Sequence, residues 1–166
     1  MDKKQLYKEI ILRSTTTPVG DRVDEITRIT SYVYLGSFNN VASLPPDHIF
    51  RYIVNMSMMR YTPRGDNVTV INLPIPDNDT VRIRRYFDVV ADFLEKCERH
   101  RTPVLVHCVA GVNRSGAVIM AYLLRTKNKN IPTLVYFLYV YHELKRIRGA
   151  FLENRSFKDQ LLDHYL

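Results

Sequence analysis

The chain has 166 residues, with 24 Lys and Arg against 17 Asp and Glu, a formal charge of +7. That length fits one domain with a single sizeable core, and the basic balance favours anionic partners (phosphoproteins, nucleic acid or acidic lipid) without choosing among them. Two cysteines cannot form a disulfide framework, and the longest apolar stretch, residues 134–141, is far short of a bilayer span.

In chain order, residues 2–12 predict a short helix with Leu6, Tyr7, Ile10 and Ile11 on one side. Charged and apolar residues alternate there, so no secretory leader is expected, and with no myristoylation or prenylation pattern at either end no lipid anchor is expected either. Residues 14–20 have linker composition. They divide the chain into a helix and linker over 1–20 and a domain over 21–166. Strands are predicted over 31–35, 52–56, 68–73 and 104–107, each short, rich in branched residues and bounded by Gly, Pro or Asn. Helices are predicted near 38–42, 83–99, 115–125, 132–146 and 156–165. Apolar residues 83, 86, 87, 90, 94 and 97 hold one face of the second. Alternating strands and helices predict an α/β fold, a central, mostly parallel sheet flanked by helices, with an extra N-terminal helix.

Residues 107–116 read His-Cys-Val-Ala-Gly-Val-Asn-Arg-Ser-Gly, between the apolar run 104–106 and the helical stretch that follows. Strand, tight loop and helix is the geometry in which backbone amides and a helix N-terminus converge on one anion. Cys108 attacks only as thiolate, the form that those amides and nearby positive charge favour. Arg114 offers a planar fork for two phosphate oxygens. Gly111 lets the backbone turn under the phosphate without a Cβ in the way. Ser115 can donate to the Cys108 sulfur and make it a better leaving group. His107 orients the loop through a hydrogen bond rather than acting as base. Val109, Ala110, Gly111, Val112, Asn113 and Arg114 together make the expected phosphate cradle. Alone, Cys108 would read as an inert core cysteine; the fixed offsets around it argue otherwise.

The chemistry needs a second group to protonate the leaving oxygen and later take a proton from water. Residues 74–80, Pro-Ile-Pro-Asp-Asn-Asp-Thr, offer Asp77 and Asp79 on one proline-flanked segment. Position alone does not separate them, and either could instead cap a helix or form a turn. Arg82, Arg84 and Arg85 suit a substrate contact or a solvated helix face equally. Cys97, on an apolar helix face, reads as buried rather than as a regulatory disulfide partner. The histidines at 48, 100, 142 and 164 lack metal-ligand spacing, and the chemistry calls for neither metal nor cofactor.

Residues 107–116 resemble the signature of the cysteine-dependent protein phosphatases, in their compact dual-specificity branch. Val33-Tyr34-Leu35-Gly36, residues 73–77, Tyr86-Phe87, Ala121-Tyr122-Leu123, residues 136–142, and residues 148–151 with Ser156-Phe157-Lys158 are similar to the poxvirus, vaccinia-type members. The likeness covers essentially the whole chain, most weakly at 14–24. Glu153 and Ser156 depart from cellular relatives, which tend to carry Pro and Gly there. The resemblance implies the compact dual-specificity phosphatase fold, Asp77 rather than Asp79 as general acid, and a cysteinyl-phosphate intermediate. It also implies phosphotyrosine together with phosphoserine and phosphothreonine as substrates. Viral structural proteins and host STAT-type transcription factors of interferon signalling are implied as targets, with residence in the virion and host cell cytoplasm. A homodimer exchanging residues 2–12 is implied, with no nucleic-acid partner and no membrane insertion.

Rival readings fit less well. Inositide phosphatases usually place lysines inside the loop, where Val109, Ala110, Val112 and Asn113 are uncharged. RNA 5′-phosphatases share the Asn-Arg pair but commonly carry a second histidine at the place of Ala110. A binding module without activity would typically have lost the nucleophile, and a rhodanese-like sulfur carrier would leave the acid segment unexplained.

Overall fold

The structure, a computed structural model, describes residues 2–14 and 25–166. Apart from Ser14, the expected linker lies outside the described residues, as does the rest of the stretch to 24. The described elements run α1 (Lys3–Arg13), β1 (Thr27–Arg28), β2 (Val33–Gly36), α2 (Phe38–Ala42), β3 (Tyr52–Asn55) and β4 (Thr69–Asn72). A 3-10 turn (Ile83–Tyr86) follows, then α3 (Phe87–Arg99), β5 (Val104–His107), α4 (Arg114–Thr126), α5 (Thr133–Arg148) and α6 (Arg155–Tyr165).

The sheet order is β1-β2-β5-β3-β4, parallel throughout except for the antiparallel edge pair β1–β2. All four residues of β5 are buried, as expected for a central parallel strand covered on both faces. The mostly parallel sheet matches the sequence expectation. Strand β1 does not: two residues carry no periodicity to read. The β2 strand begins at Val33 rather than 31, because the amides of Ile29 and Thr30 both turn back onto the Val33 carbonyl.

Helix α4 is buried almost from end to end, Arg114 through Tyr122 without a break, so it is the central helix rather than a surface one. The helix expected over 83–99 is split into the 3-10 turn and α3, yet its apolar face survives. Ile83, Phe87, Val90, Leu94 and Cys97 are all buried. Burial pushes the Cys97 thiol up to about 11, which makes it an inert core residue.

Helix α1 packs on α5 and α6, through part of the expected stripe only. Ile11 is fully buried and Tyr7 and Leu12 lie against the core, while Leu6 and Ile10 remain 47% and 40% exposed. The C-terminal end of α1 fixes this rotation. Buried Lys158 Nζ donates to the carbonyls of Ile11 (3.0 Å) and Ser14 (2.6 Å), and Lys145 Nζ to Ser14 Oγ (3.1 Å). Cations at the last carbonyls complement both the unpaired acceptors and the helix dipole.

Candidate active site

Strand β5 ends at His107 and helix α4 begins at Arg114, so residues 108–113 form the turn between a fully buried strand and a helix buried over its first nine residues. Four carbonyls of this turn are occupied from behind. Cys108 O accepts from His107 Nδ1 (2.9 Å), Val109 O from the Phe38 amide (2.9 Å), Gly111 O from Arg148 Nη2 (3.1 Å), and Val112 O from the Leu152 amide (3.0 Å). The amides of 109–113 donate to no backbone carbonyl among the described residues. A loop with its acceptors satisfied outward and its donors free is a nest for an anion.

Gly111 has φ +71, and a Cβ there would come within 2.5 Å of the Gly36 carbonyl and 2.6 Å of Arg148 Nη2. Only glycine fits this wedge. Cys108 is 2% exposed, and its Sγ lies 3.2 Å from Ser115 Oγ. Arg114 is also buried. Its Nη1 donates to the carbonyls of Ile75 (2.8 Å) and Met56 (3.5 Å), while buried Nε has no partner among the described residues. A buried guanidinium nitrogen without a partner is costly unless a ligand completes it.

His107 is fully buried, and burial pushes it down to about 4, so it is neutral. The Cys108 carbonyl can only accept, so Nδ1 carries the proton; Nε2 therefore accepts from the Tyr61 hydroxyl at 2.6 Å. Burial raises the Tyr61 hydroxyl well above its ordinary range, keeping it a donor. His107 is thus tied at both ring nitrogens and carries no spare proton-accepting site.

Asp77 is exposed on the segment after β4 and is brought to the loop by two amides. Its Oδ2 accepts from Asn113 Nδ2 (2.9 Å) and its Oδ1 from Asn154 Nδ2 (3.1 Å). Asp79 lies in the adjoining exposed turn, where Asn78 Oδ1 accepts from the Thr80 and Val81 amides. Arg82, Arg84 and Arg85 are exposed, and the Arg84 amide is tied to Gln160 Oε1 (3.0 Å).

Three residues here escaped the sequence analysis. Tyr61 gave no local signal. Asn154 stood only as a residue before a predicted helix, where capping is the ordinary reading. Arg148 was visible only within the Arg-Gly pair that ends α5. Its fully buried guanidinium holds Glu25 O (3.0 Å), Thr27 Oγ1 (2.7 Å) and Gly111 O together, and burial brings it down to about 10.

Residues 33–165 match the family described as Dual specificity phosphatase, catalytic domain. The chain is 54% identical to a probable dual specificity protein phosphatase H1 homolog of Fowlpox virus, with all of both chains covered. It is 48% identical to a dual specificity protein phosphatase of Vaccinia virus (strain Copenhagen), over all of this chain and 98% of the other. Among solved structures it resembles OH1 from the Orf virus, described as a tyrosine phosphatase with triple substrate specificity. That likeness has 34% identity and a TM-score of 0.85, over 97% of this chain and 96% of the other. No described helix is long and apolar enough to cross a membrane.

Proposed function

Since this chain belongs to the dual specificity protein phosphatases, of the poxvirus H1 type, and is a cysteine-dependent protein phosphatase, we propose that Cys108 carries the phosphoryl group and Asp77 the proton. The Cys108 thiolate attacks phosphorus in line, the P–O bond to the substrate breaks, and the Asp77 carboxylic acid gives its proton to the departing oxygen. Water then attacks the cysteinyl-phosphate, losing its proton to the Asp77 carboxylate, and Cys108 leaves as thiolate, steadied by Ser115. Arg114 and the amides of Val109, Ala110, Gly111, Val112 and Asn113 hold the three equatorial oxygens throughout. No metal or cofactor takes part. One observation carries this reading: the Cys108 sulfur sits 3.2 Å from Ser115 Oγ at the floor of a loop in which the carbonyls of Cys108, Val109, Gly111 and Val112 are all taken by partners outside the turn.

The substrates are phosphotyrosine, phosphoserine and phosphothreonine in proteins. Exposure of Val109, Ala110 and Asp77 supports a shallow site that a short side chain can reach, and the Orf virus relative's triple specificity is in keeping with it. Virion phosphoproteins and host STAT-type factors are the targets in the proposal, encountered in the virion and the host cytoplasm. The working form is a homodimer through residues 2–12, a reading supported by the exposed Leu6 and Ile10.

Substituting the nucleophile tests the chemistry. Cys108→Ser should lose turnover while still binding a phosphopeptide, because the amides and Arg114 remain. Mass spectrometry of the acid-quenched parent enzyme should find phosphate on Cys108. Near-normal turnover in the serine variant would end this mechanism.

A further inference from the structure

We propose that Asn113 and Asn154 are positioning residues that together hold the Asp77 carboxyl at the mouth of the phosphate loop. The inference rests on the reading of Asp77 as general acid. Asp77 lies on an exposed segment outside any helix or strand, where an unrestrained side chain would sample several rotamers. A general acid works only within hydrogen-bond reach of the leaving oxygen, and misplacement by about 1 Å can cost orders of magnitude in rate. Something has to fix it.

The two asparagines do so with their amide orientations determined. Asn113 Oδ1 accepts from the backbone amides of Glu153 (2.7 Å) and Asn154 (2.9 Å). Those groups can only donate, so the other end of the side chain, the NH2 group, is the one facing Asp77 Oδ2. Asn154 Oδ1 accepts from the Phe157 amide (3.2 Å), which leaves its NH2 group for Asp77 Oδ1 (3.1 Å) and the Asn78 carbonyl (3.1 Å). Each carboxyl oxygen of Asp77 thus meets one amide, and the two amides are joined through the 153–154 backbone.

The use made of Asn113 argues that this arrangement is not incidental. It occupies the N-cap position of α4, where asparagine ordinarily accepts from the first turn of the helix. Here it makes no such bond. Its side chain goes to Asp77 and residues 153–154 instead, and the first amides of α4 stay available to an anion.

Leaving-group dependence tests the inference, since loss of proton donation hurts a poor leaving group more than a good one. The measured quantity is the ratio of kcat/KM for p-nitrophenyl phosphate to that for phenyl phosphate. Asp77→Asn should raise it by about a hundredfold. Asn154→Ser keeps a good N-cap on α6 but loses both donors, and should raise the ratio about fivefold, a fraction of the general-acid effect, through kcat rather than KM. Asn113→Ala should raise the ratio similarly, although it also frees two backbone amides and lowers thermal stability. If Asp77→Asn raises the ratio and Asn154→Ser leaves it unchanged, slowing both esters in equal proportion or neither, the positioning role is wrong and the acid stands. If Asp77→Asn leaves the ratio unchanged, the acid is misassigned and the inference falls with it.

Discussion

His107 contributes to stability by being unable to take a second proton. Its ordinary value near 6.5 is pushed down to about 4 by burial. Between those values the unfolded chain binds a proton that the folded chain does not, so stability is full above about pH 6.5 and drains away as the pH falls toward 4. The size is about 3 kcal/mol across that window. Chemical denaturation at pH 7 and pH 4.5 should show the loss, and His107→Gln should remove most of its pH dependence; an unchanged slope would mean that other groups govern it. Residues 107–116 were legible as one candidate loop because their pattern is local, fixed by offsets within ten positions. Tyr61, Arg148 and Asn154 reach the site from 46, 37 and 41 residues away, to His107, Gly111 and Asn113, and nothing local in their neighbourhoods announces that contact. Asn113 was legible as a loop member, but the turn of its side chain toward Asp77 was not.

The six described α-helices were legible as elements because their apolar residues recur at helical spacing, and the four longer described strands because short branched runs stood between turn residues. What escaped was orientation. Of the stripe expected on α1, Leu6, Tyr7, Ile10 and Ile11, only Tyr7 and Ile11 face the core, joined there by Leu12, while Leu6 and Ile10 stay exposed. The decision was made at the far end of the helix, where Lys158 on α6 grips the carbonyls of Ile11 and Ser14 and Lys145 on α5 the Ser14 hydroxyl. Lys158 sits fully buried, and burial brings it down to about 8. The stacked contacts to the Tyr141 ring, 4.7 Å from Lys145 and 4.9 Å from Lys158, help to hold both ammonium groups in place. Replacing Lys158 with Met should therefore loosen α1 selectively. Its amides should exchange roughly thirtyfold faster, about 2 kcal/mol of lost protection, while those of β5 keep theirs. Equal loosening of both would show that Lys158 supports the core at large rather than the helix.

At the scale of the whole molecule, α1 is held by contacts that a second copy could supply equally well. Residues 2–12 are too few to be a stable helix alone, and with Leu6 and Ile10 exposed one apolar edge is left beside α5, where Val135 and Tyr139 are 47% and 69% exposed. A two-fold arrangement exchanging α1 would rebuild the same contacts on the partner's α5 and α6 and leave each active site complete. Sedimentation should find a dimer for the full chain, and a monomer still active on small aryl phosphates after removal of residues 1–20. A full-length monomer across micromolar concentrations would sink the exchange.

The position of Cys97 carries a further consequence, for oxidative damage. It lies near the end of α3, just before the chain turns into β5, and Cys108 follows the last residue of that same strand. Four strand residues span about 13 Å, well beyond the roughly 7 Å that a disulfide tolerates between Cα atoms. If peroxide turns the Cys108 thiolate into a sulfenic acid, no thiol of its own chain can capture it. The oxidised sulfur must be rescued by an outside thiol such as glutathione, or proceed to the sulfinic state, from which there is ordinarily no return.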